Sequence, residues 1–206
     1  MVLFLSDNGS CAESPGGENN IAHVPGPKEF YSHVGPSWAY AQNAPFRRYK
    51  SRMHEGGIAT PLIAHWPAVV PKNSMTDQVG HIVDFLPTFL EMGGAEYPKT
   101  YKGKEIIPVE GMSLLDVLKS PDKTIKRDKP LYWAFGGSRA VREGKWKLVW
   151  DPKVKNWELY DMELDRTEMN DLSKAKPEMA DRLRLLWEAW AKETGVINSK
   201  PKKPKK

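Results

Sequence analysis

Apolar residues open the chain as an unbroken run that stops abruptly at polar residues. Met1–Leu5 shows no alternation and is followed by Ser6, Asp7, Asn8 and Gly9. An apolar run without alternation is typical of a strand covered on both faces, and Asn-Gly favours the tight backbone that ends such a strand. The pattern therefore predicts a buried strand whose end presents a carboxylate and an amide side by side.

The next part of the chain alternates between strand and helix signals. Residues 58–66 have an apolar centre bounded by prolines, which predicts a second buried strand. Asp84 can cap a helix over residues 85–92, and residues 113–118 predict another short helix. Residues 12–44, by contrast, carry repeated Gly and Pro signals without a sustained period and are predicted to form a loop.

Beyond residue 130 the pattern changes to short strands separated by turn residues. Four segments predict an antiparallel meander: 131–135, 138–142, 146–150 and 157–160. Pro177 then begins a helix with five apolar residues on one face: Met179, Leu183, Leu186, Trp187 and Trp190. We expect this face to pack on the meander. The predicted organisation is an α/β region over residues 1–119, a sheet with a helix over 120–198, and a disordered Lys/Pro tail over 199–206.

The net charge of the chain lies in this tail. The five lysines of residues 200–206 account for the whole formal charge of +5 in a chain of 206 residues. A solvated tail is the simpler interpretation, and binding of nucleic acid or a sulfated polymer by counterion release is the alternative. No apolar run approaches the length of a membrane span, and no signal peptide is present at the N-terminus. The charge therefore gives no reason to assign a nucleic-acid or membrane partner.

Asp7 and Asn8 are the first candidate metal ligands along the chain. Their side chains offer hard oxygen donors, which suit Ca²⁺ or Mg²⁺ better than a soft metal. A turn stabilised by Asp and Asn without any ligand is the alternative. Lys50 lies in a basic cluster that could be merely a solvated surface, and His23 and His33 could approach a substrate, although nothing in their spacing indicates it.

Several segments, in this order and spacing, resemble the second half of a type I sulfatase of the bacterial arylsulfatase branch, in the alkaline-phosphatase-like superfamily. They are Phe4–Gly9, Pro45–Lys50, His54–Pro67, Val83–Thr88 and Trp157–Asp161. The resemblance extends to about Gly195. It implies an α/β fold, the C-terminal part of an alkaline-phosphatase-like sandwich, followed by a small four-stranded antiparallel sheet with a packed C-terminal helix.

The same resemblance implies roles for individual residues in the hydrolysis of a sulfate monoester. Asp7 and Asn8 would be ligands of Ca²⁺, with Mg²⁺ as the alternative ion. Lys50, five residues before Glu55, would be a catalytic residue that contacts the sulfate group. His54 would hydrogen-bond the substrate or simply pack. The family's formylglycine nucleophile forms in a Cys-x-Pro-x-Arg pattern, which the sequence around Cys11 lacks.

The chain is accordingly predicted to be a C-terminal fragment, inactive alone, whose formylglycine lies on a missing N-terminal half. Its partners would be that half and a sulfate ester, and the family suggests a periplasmic or secreted enzyme. Two alternatives remain open. One is a phosphoesterase or phosphonate hydrolase of the same superfamily, and the other is a non-catalytic module that binds polyanions through its lysine tail.

Overall fold

The computed structural model of the chain describes residues 1–13 and 34–196. In chain order the elements are β1 (Val2–Leu5), α1 (Gly35–Asn43), α2 (Glu55–Ile58), β2 (Leu62–His65), a 3₁₀ turn (Ile82–Asp84), α3 (Phe85–Gly93), β3 (Thr100–Tyr101), β4 (Lys104–Glu105), α4 (Leu115–Lys119), β5 (Leu131–Phe135), β6 (Ser138–Glu143), β7 (Trp146–Asp151), β8 (Asn156–Asp161) and α5 (Pro177–Glu193).

The described residues form two compact units. The first contains residues 1–5 and 62–129, and the second contains residues 6–61 and those from 130 onward. The predicted organisation into 1–119, 120–198 and a terminal tail stays a prediction. The tail lies outside the described residues, as do His23 and His33. No described helix is long and apolar enough to cross a bilayer.

The second unit is built on the predicted meander, which is confirmed. Strands β5 to β8 pair antiparallel in sequence order, and β6, β7 and β8 run one residue or more beyond the predicted segments. Inward-facing residues of β6 to β8 pack against one face of α5 as a buried cluster: Val141, Leu148, Leu159, Leu183, Trp187 and Ala191. The predicted packing of the C-terminal helix on the sheet is therefore confirmed as well.

The opposite face of the same sheet is also covered. Ala140, Val149 and Tyr160 form a second buried cluster with Met53, against which Ile58 packs. Because side chains alternate along a strand, each strand serves both clusters. The segment that carries Lys50 and His54 thus packs against this face of the sheet.

The first unit differs from the prediction at its strands. β1 pairs antiparallel with β2, so that Phe4 lies opposite Ile63. Phe4 is 68% exposed and Ile63 60% exposed, so the prediction of strands buried on both faces is wrong. The physical reason is that β1 has β2 as its partner strand and no described layer covers this face. Ile58, the first residue of the predicted second strand, belongs instead to the helical turn α2.

Asp84 does not cap helix α3, so the predicted capping role is wrong. Its carboxylate is buried and accepts hydrogen bonds from the His81 N–H (2.7 Å), the Met112 N–H (2.9 Å) and the Arg127 guanidinium. Asp84 ends a 3₁₀ turn in helical conformation, whereas a capping side chain needs an extended residue. The carboxylate is thereby left to pair with a cation.

Helix α1 replaces part of the predicted loop over residues 12–44. Pro36 stands in its first turn, where a missing N–H costs nothing. Of its nine residues only Ala39 is buried. Without an apolar stripe the helix leaves no periodic signal in the sequence, which explains why the loop prediction is wrong here.

Candidate functional site

The polar turn after β1 presents the two predicted metal ligands to solvent. The Asp7 side chain is exposed and that of Asn8 is half-buried. Neither side chain makes a hydrogen bond with another described residue, and the turn is held by the Ser6 hydroxyl, which donates to the Asn8 carbonyl at 2.9 Å. Both side chains therefore have their oxygen donors available.

Main-chain hydrogen bonds bring this turn against the segment that carries Lys50. The Gly9 N–H donates to the Gly57 carbonyl at 3.1 Å, and the Lys50 N–H donates to the Ser10 carbonyl at 3.0 Å. A Cβ at Gly9 would lie 1.8 Å from the Gly56 carbonyl oxygen, so only glycine permits this approach. Asp7, Asn8 and Lys50 thus lie on adjacent segments, although they are far apart in sequence.

The Lys50 side chain borders an open pocket of about 230 Å³. Its Nζ lies 3.2 Å from Glu13 Oε2. This hydrogen bond raises the pKa of Lys50, and the same contact lowers the pKa of Glu13, so both groups are charged at neutral pH. The pocket is lined by Ala12, Glu13, Tyr49, Lys50, Ser51, Arg52 and Lys153.

The backbone around Lys50 is held in an unusual conformation. Arg48 and Ser51 have φ angles of +66° and +76°, a region that residues with a Cβ seldom adopt. The Arg48 carbonyl accepts from Asn43 Nδ2 at 3.1 Å, and the Ser51 carbonyl accepts from the Ser138 hydroxyl at 3.1 Å. Such strain persists where the surroundings fix it, and it is common at functional sites.

His54 is fully buried and does not line the pocket. Its Nε2 lies 2.7 Å from Glu158 Oε2, and its Nδ1 is buried without a hydrogen-bond partner in the described residues. Burial alone would raise the pKa of Glu158, but the hydrogen bond with His54 and the charge of Arg47 outweigh it and lower that pKa. The structure therefore shows a packed histidine that still has one unsatisfied ring nitrogen.

The sequence analysis assigned no role to two residues of this site, although Glu158 lies in the segment Trp157–Asp161 that carries part of the resemblance. Glu158 lies within strand β8, and Lys153 lies in the turn between β7 and β8. Each is about a hundred residues from the segment it reaches, and single acidic or basic residues in a β-meander normally belong to a solvated face. Only the pairing of the strands places them beside residues 47–54.

The side-chain oxygens of Asp7 and Asn8 could form part of a site for a hard cation. Within residues 1–13 and 34–196 no group of three or more His, Cys, Asp or Glu side chains could hold a metal ion. Asp7 and Asn8 together offer at most three oxygen donors, whereas Ca²⁺ takes six to eight. Their hard, unengaged oxygens fit such an ion in kind, and further ligands would have to come from elsewhere.

Comparisons with known proteins agree on one family. Residues 46–193 match the family described as "N-sulphoglucosamine sulphohydrolase, C-terminal". The chain is 30% identical, over 97% of its own length and 39% of the relative's, to an uncharacterised sulfatase of Schizosaccharomyces pombe. It is also 30% identical to the N-acetylglucosamine-6-O-sulfatase of Bacteroides thetaiotaomicron, over 60% of this chain and 23% of that one.

A solved structure with a similar fold is Ps i-CgsB in complex with k-i-k-neocarrahexaose. The TM-score is 0.66 at 23% identity, over 92% of this chain and 36% of the other. The chain spans between about a quarter and two fifths of the length of these relatives.

Proposed function

Because the chain belongs to the family of sulfatase C-terminal domains, we propose that it forms the C-terminal part of an enzyme that hydrolyses sulfate monoesters. The observation that carries the proposal is the approach of the Asp7–Asn8 turn to the Lys50 segment through the Gly9–Gly57 and Ser10–Lys50 hydrogen bonds. It gathers hard oxygen donors and an ammonium at one place. Hydrolysis of an anionic ester with the help of a metal ion needs both kinds of group.

Lys50 is proposed to act on the sulfate group. Cleavage of the S–O bond places negative charge on the sulfate and leaving-group oxygens, and a fixed cation stabilises charge that develops in the transition state. Glu13 holds the Lys50 ammonium at 3.2 Å in the absence of substrate. A sulfate oxygen would take over this contact, because it offers the same kind of acceptor.

Asp7 and Asn8 are proposed to bind Ca²⁺, with Mg²⁺ as the alternative. When bound, such an ion would neutralise charge on the sulfate and on the nucleophile. The chain contains no Cys-x-Pro-x-Arg pattern, so a formylglycine nucleophile would lie on a preceding N-terminal half. A substrate contact by His54 stays part of the proposal, although its side chain is fully buried beside Glu158: Nδ1, which has no partner in the described residues, would have to become accessible in the completed protein.

The class of ester proposed is a carbohydrate sulfate rather than an aryl sulfate. Support comes from relatives named for N-acetylglucosamine 6-O-sulfate and N-acetylgalactosamine 6-sulfate. The pocket adds Arg52 and Lys153 beside Lys50, and cations of this kind suit a substrate with more than one anionic group. Relatives from the bacterial genera Formosa and Bacteroides also support a periplasmic or secreted protein.

The proposal is tested by expressing the chain together with the coding sequence that precedes it, with the formylglycine-generating enzyme present. The completed protein should release sulfate from N-acetylglucosamine 6-sulfate and lose this activity in EDTA. The 206-residue chain alone should release none. Hydrolysis of 4-nitrophenyl phosphate in preference to N-acetylglucosamine 6-sulfate would instead identify a phosphoesterase. Binding of heparin without hydrolysis by the completed protein would identify a polyanion-binding module.

A further inference from the structure

A buried ionic cluster lies against the turn α2, within the second unit. Lys147 on β7 is fully buried, and its Nζ lies 2.6 Å from Glu55 Oε1 and 2.8 Å from Glu168 Oε1. The second oxygen of Glu168 accepts a hydrogen bond from the Glu55 N–H at 2.7 Å. Glu55 is therefore held through both its side chain and its main chain.

Lys147 and Glu55 are both charged. Burial alone would lower the pKa of Lys147, but the Glu168 and Glu55 carboxylates outweigh it and raise that pKa. Burial alone would raise the pKa of Glu55, but Lys147 outweighs it and lowers that pKa. Desolvating buried charges is costly, and a well-packed apolar core often gives equal stability. Folding stability alone is thus a weak reason for such a cluster.

Glu168 reaches the cluster through a constrained backbone. Its φ angle is +59°, and its carbonyl accepts a hydrogen bond from Arg47 Nη1 at 2.6 Å. The same Arg47 nitrogen donates to the Tyr160 hydroxyl at 2.7 Å. These contacts fix the carboxylate of Glu168 beneath Glu55.

Glu55 begins the turn whose backbone touches both segments of the candidate site. The Gly56 N–H donates to the Arg47 carbonyl at 2.9 Å, three residues before Lys50, and the Gly57 carbonyl accepts from the Gly9 N–H. A Cβ at Gly56 would lie 2.3 Å from the carbonyl oxygens of Arg47 and Arg48. With so little space between the segments, a displacement of Glu55 displaces its neighbours.

We propose that Lys147 and Glu168 are positioning residues of the sulfate site. Neither lines the pocket. Together they hold Glu55, and through it the turn with Asp7 and Asn8 and the loop with Lys50. The effect on catalysis rests on the proposed function, whereas the effect on the order of these segments concerns the chain by itself.

The first test is hydrogen exchange in the 206-residue chain. Lys147→Met should speed exchange at the amides of Gly9, Lys50 and Gly56 by about tenfold or more, because these hydrogen bonds open locally, while the sheet and α5 stay protected. Lys145→Met is the matched control, since Lys145 is two residues away, is partly exposed and pairs with Asp161 outside the cluster. It should leave these three amides unchanged.

Two outcomes of that experiment overturn the proposal. One is unchanged exchange at the three amides, and the other is an equal rise throughout β5–β8. If Lys147→Met fails to fold, Glu168→Gln decides the question, because Gln still accepts from the Glu55 N–H but removes the charge opposite Lys147. Faster exchange at the same amides, by a smaller factor, supports the proposal, and parental exchange overturns it.

The second test uses the completed enzyme. Because a small misplacement of catalytic groups can cost about 10² in rate, Lys147→Met should lower kcat by about that factor with little change in KM, and Lys145→Met should not. An active enzyme in which both variants keep the parental kcat overturns the positioning role in catalysis. If the completed protein has no sulfatase activity at all, the proposed function fails, and the exchange experiment still decides whether Lys147 orders the two segments.

Discussion

Lys50 combines a partly exposed ammonium with a fixed backbone. Its side chain is about one third exposed, and its N–H is bound to Ser10 between two residues of positive φ. The anchor of the side chain is thus fixed, while its tip can exchange Glu13 for a substrate oxygen. A residue of this kind contributes little to packing, so its removal should affect chemistry more than folding.

Lys50→Ala in the completed enzyme should lower kcat/KM by about 10²–10³, since one electrostatic contact to the transition state is lost. Lys50→Arg should recover only part of this, because a planar guanidinium does not place its charge where the ammonium lay. The measurement is steady-state hydrolysis with thermal unfolding as the folding control. A Lys50→Ala enzyme within about threefold of the parent would show that Lys50 makes no transition-state contact.

Arg52 is an unsuitable neutral control for Lys50, although the sequence suggests one. As part of a basic cluster it looks solvated, and Arg52→Ala is then predicted to be almost neutral. In the structure its Nε lies 3.7 Å from the buried Asp151, which also pairs with Arg48. Its loss would weaken the support of the Lys50 loop, so an effect on activity is expected.

Lys153 is expected to bind the part of the substrate beyond the sulfate ester. It lines the Lys50 pocket and has no ion-pair partner in the described part of the chain. Exposed charge contacts are weak, so Lys153→Ala should raise KM by about fivefold and leave kcat unchanged. Lys174→Ala, at an exposed position outside the pocket, is the control. Equal KM values for the two variants would remove Lys153 from the substrate site.

His81 should make stability depend on pH. Burial lowers the pKa of His81 from 6.5, and the facing charges of Asp84, Arg127 and Glu110 do not reverse this. The unfolded chain therefore binds more protons below pH 6.5 than the folded chain, and stability falls as the pH drops through this range. His81 Nδ1 accepts from the Val83 N–H, and protonation removes this acceptor.

The measurement is the thermal midpoint at about pH 7.5 and about pH 5.5, on either side of the ordinary histidine pKa. His81→Asn keeps a capping acceptor but does not titrate. The parent should lose more stability on acidification than this variant. The same loss in both proteins would assign the pH dependence to other groups, such as the carboxylates.

At the scale of elements, α5 covers one face of the sheet. Trp187 is 2% exposed, and its Nε1 donates to the Trp133 carbonyl at 3.1 Å. The Arg139 guanidinium lies 4.9 Å from the ring centre, which adds a cation–π contact. One side chain thus joins the helix to two strands.

Trp187→Ala should lower the free energy of unfolding by about 3–5 kcal/mol, because it leaves a large cavity and removes the hydrogen bond to the Trp133 carbonyl. Leu185→Ala on the exposed side of the same helix should change it by about 0.5 kcal/mol or less. Denaturant titration followed by tryptophan fluorescence compares the two. Equal losses would show that α5 does not stabilise the sheet through its buried face.

The elements predicted correctly are those whose signals are local. The meander has alternating residues and turns at short spacing, and α5 has Pro177 and a regular apolar stripe. Helix α1 has Pro36 in its first turn but no apolar stripe. Asp84 follows a capping pattern, but its carboxylate pairs with Arg127, 43 residues away. Glu55, Lys147 and Glu168 show the same limit within the site. Each looks like a surface charge in sequence, and only tertiary packing reveals that they pair.

At the scale of the whole molecule, the strand pair β1–β2 leaves an apolar face uncovered. Val2, Phe4 and Ile63 lie on this face and are each at least 60% exposed. Adjacent exposed apolar residues on a short two-stranded sheet are an association site, because the strands can add to another sheet or bury this face against a second copy. The chain spans only 39% of its Schizosaccharomyces pombe relative.

The 206-residue chain is therefore expected to self-associate as its concentration rises, and charges on the uncovered face should prevent this. Phe4→Lys with Ile63→Lys should reduce the concentration-dependent increase in mass measured by sedimentation velocity, because burying two ammonium groups in a sheet contact is unfavourable. Met75→Lys is the control, since Met75 is 89% exposed but lies outside the strand pair. It removes an exposed apolar residue and adds a charge without touching the face. If the control reduced association as much as the double variant, added charge and not the β1–β2 face would be responsible. If neither variant changed it, the contact would have to form elsewhere on the chain.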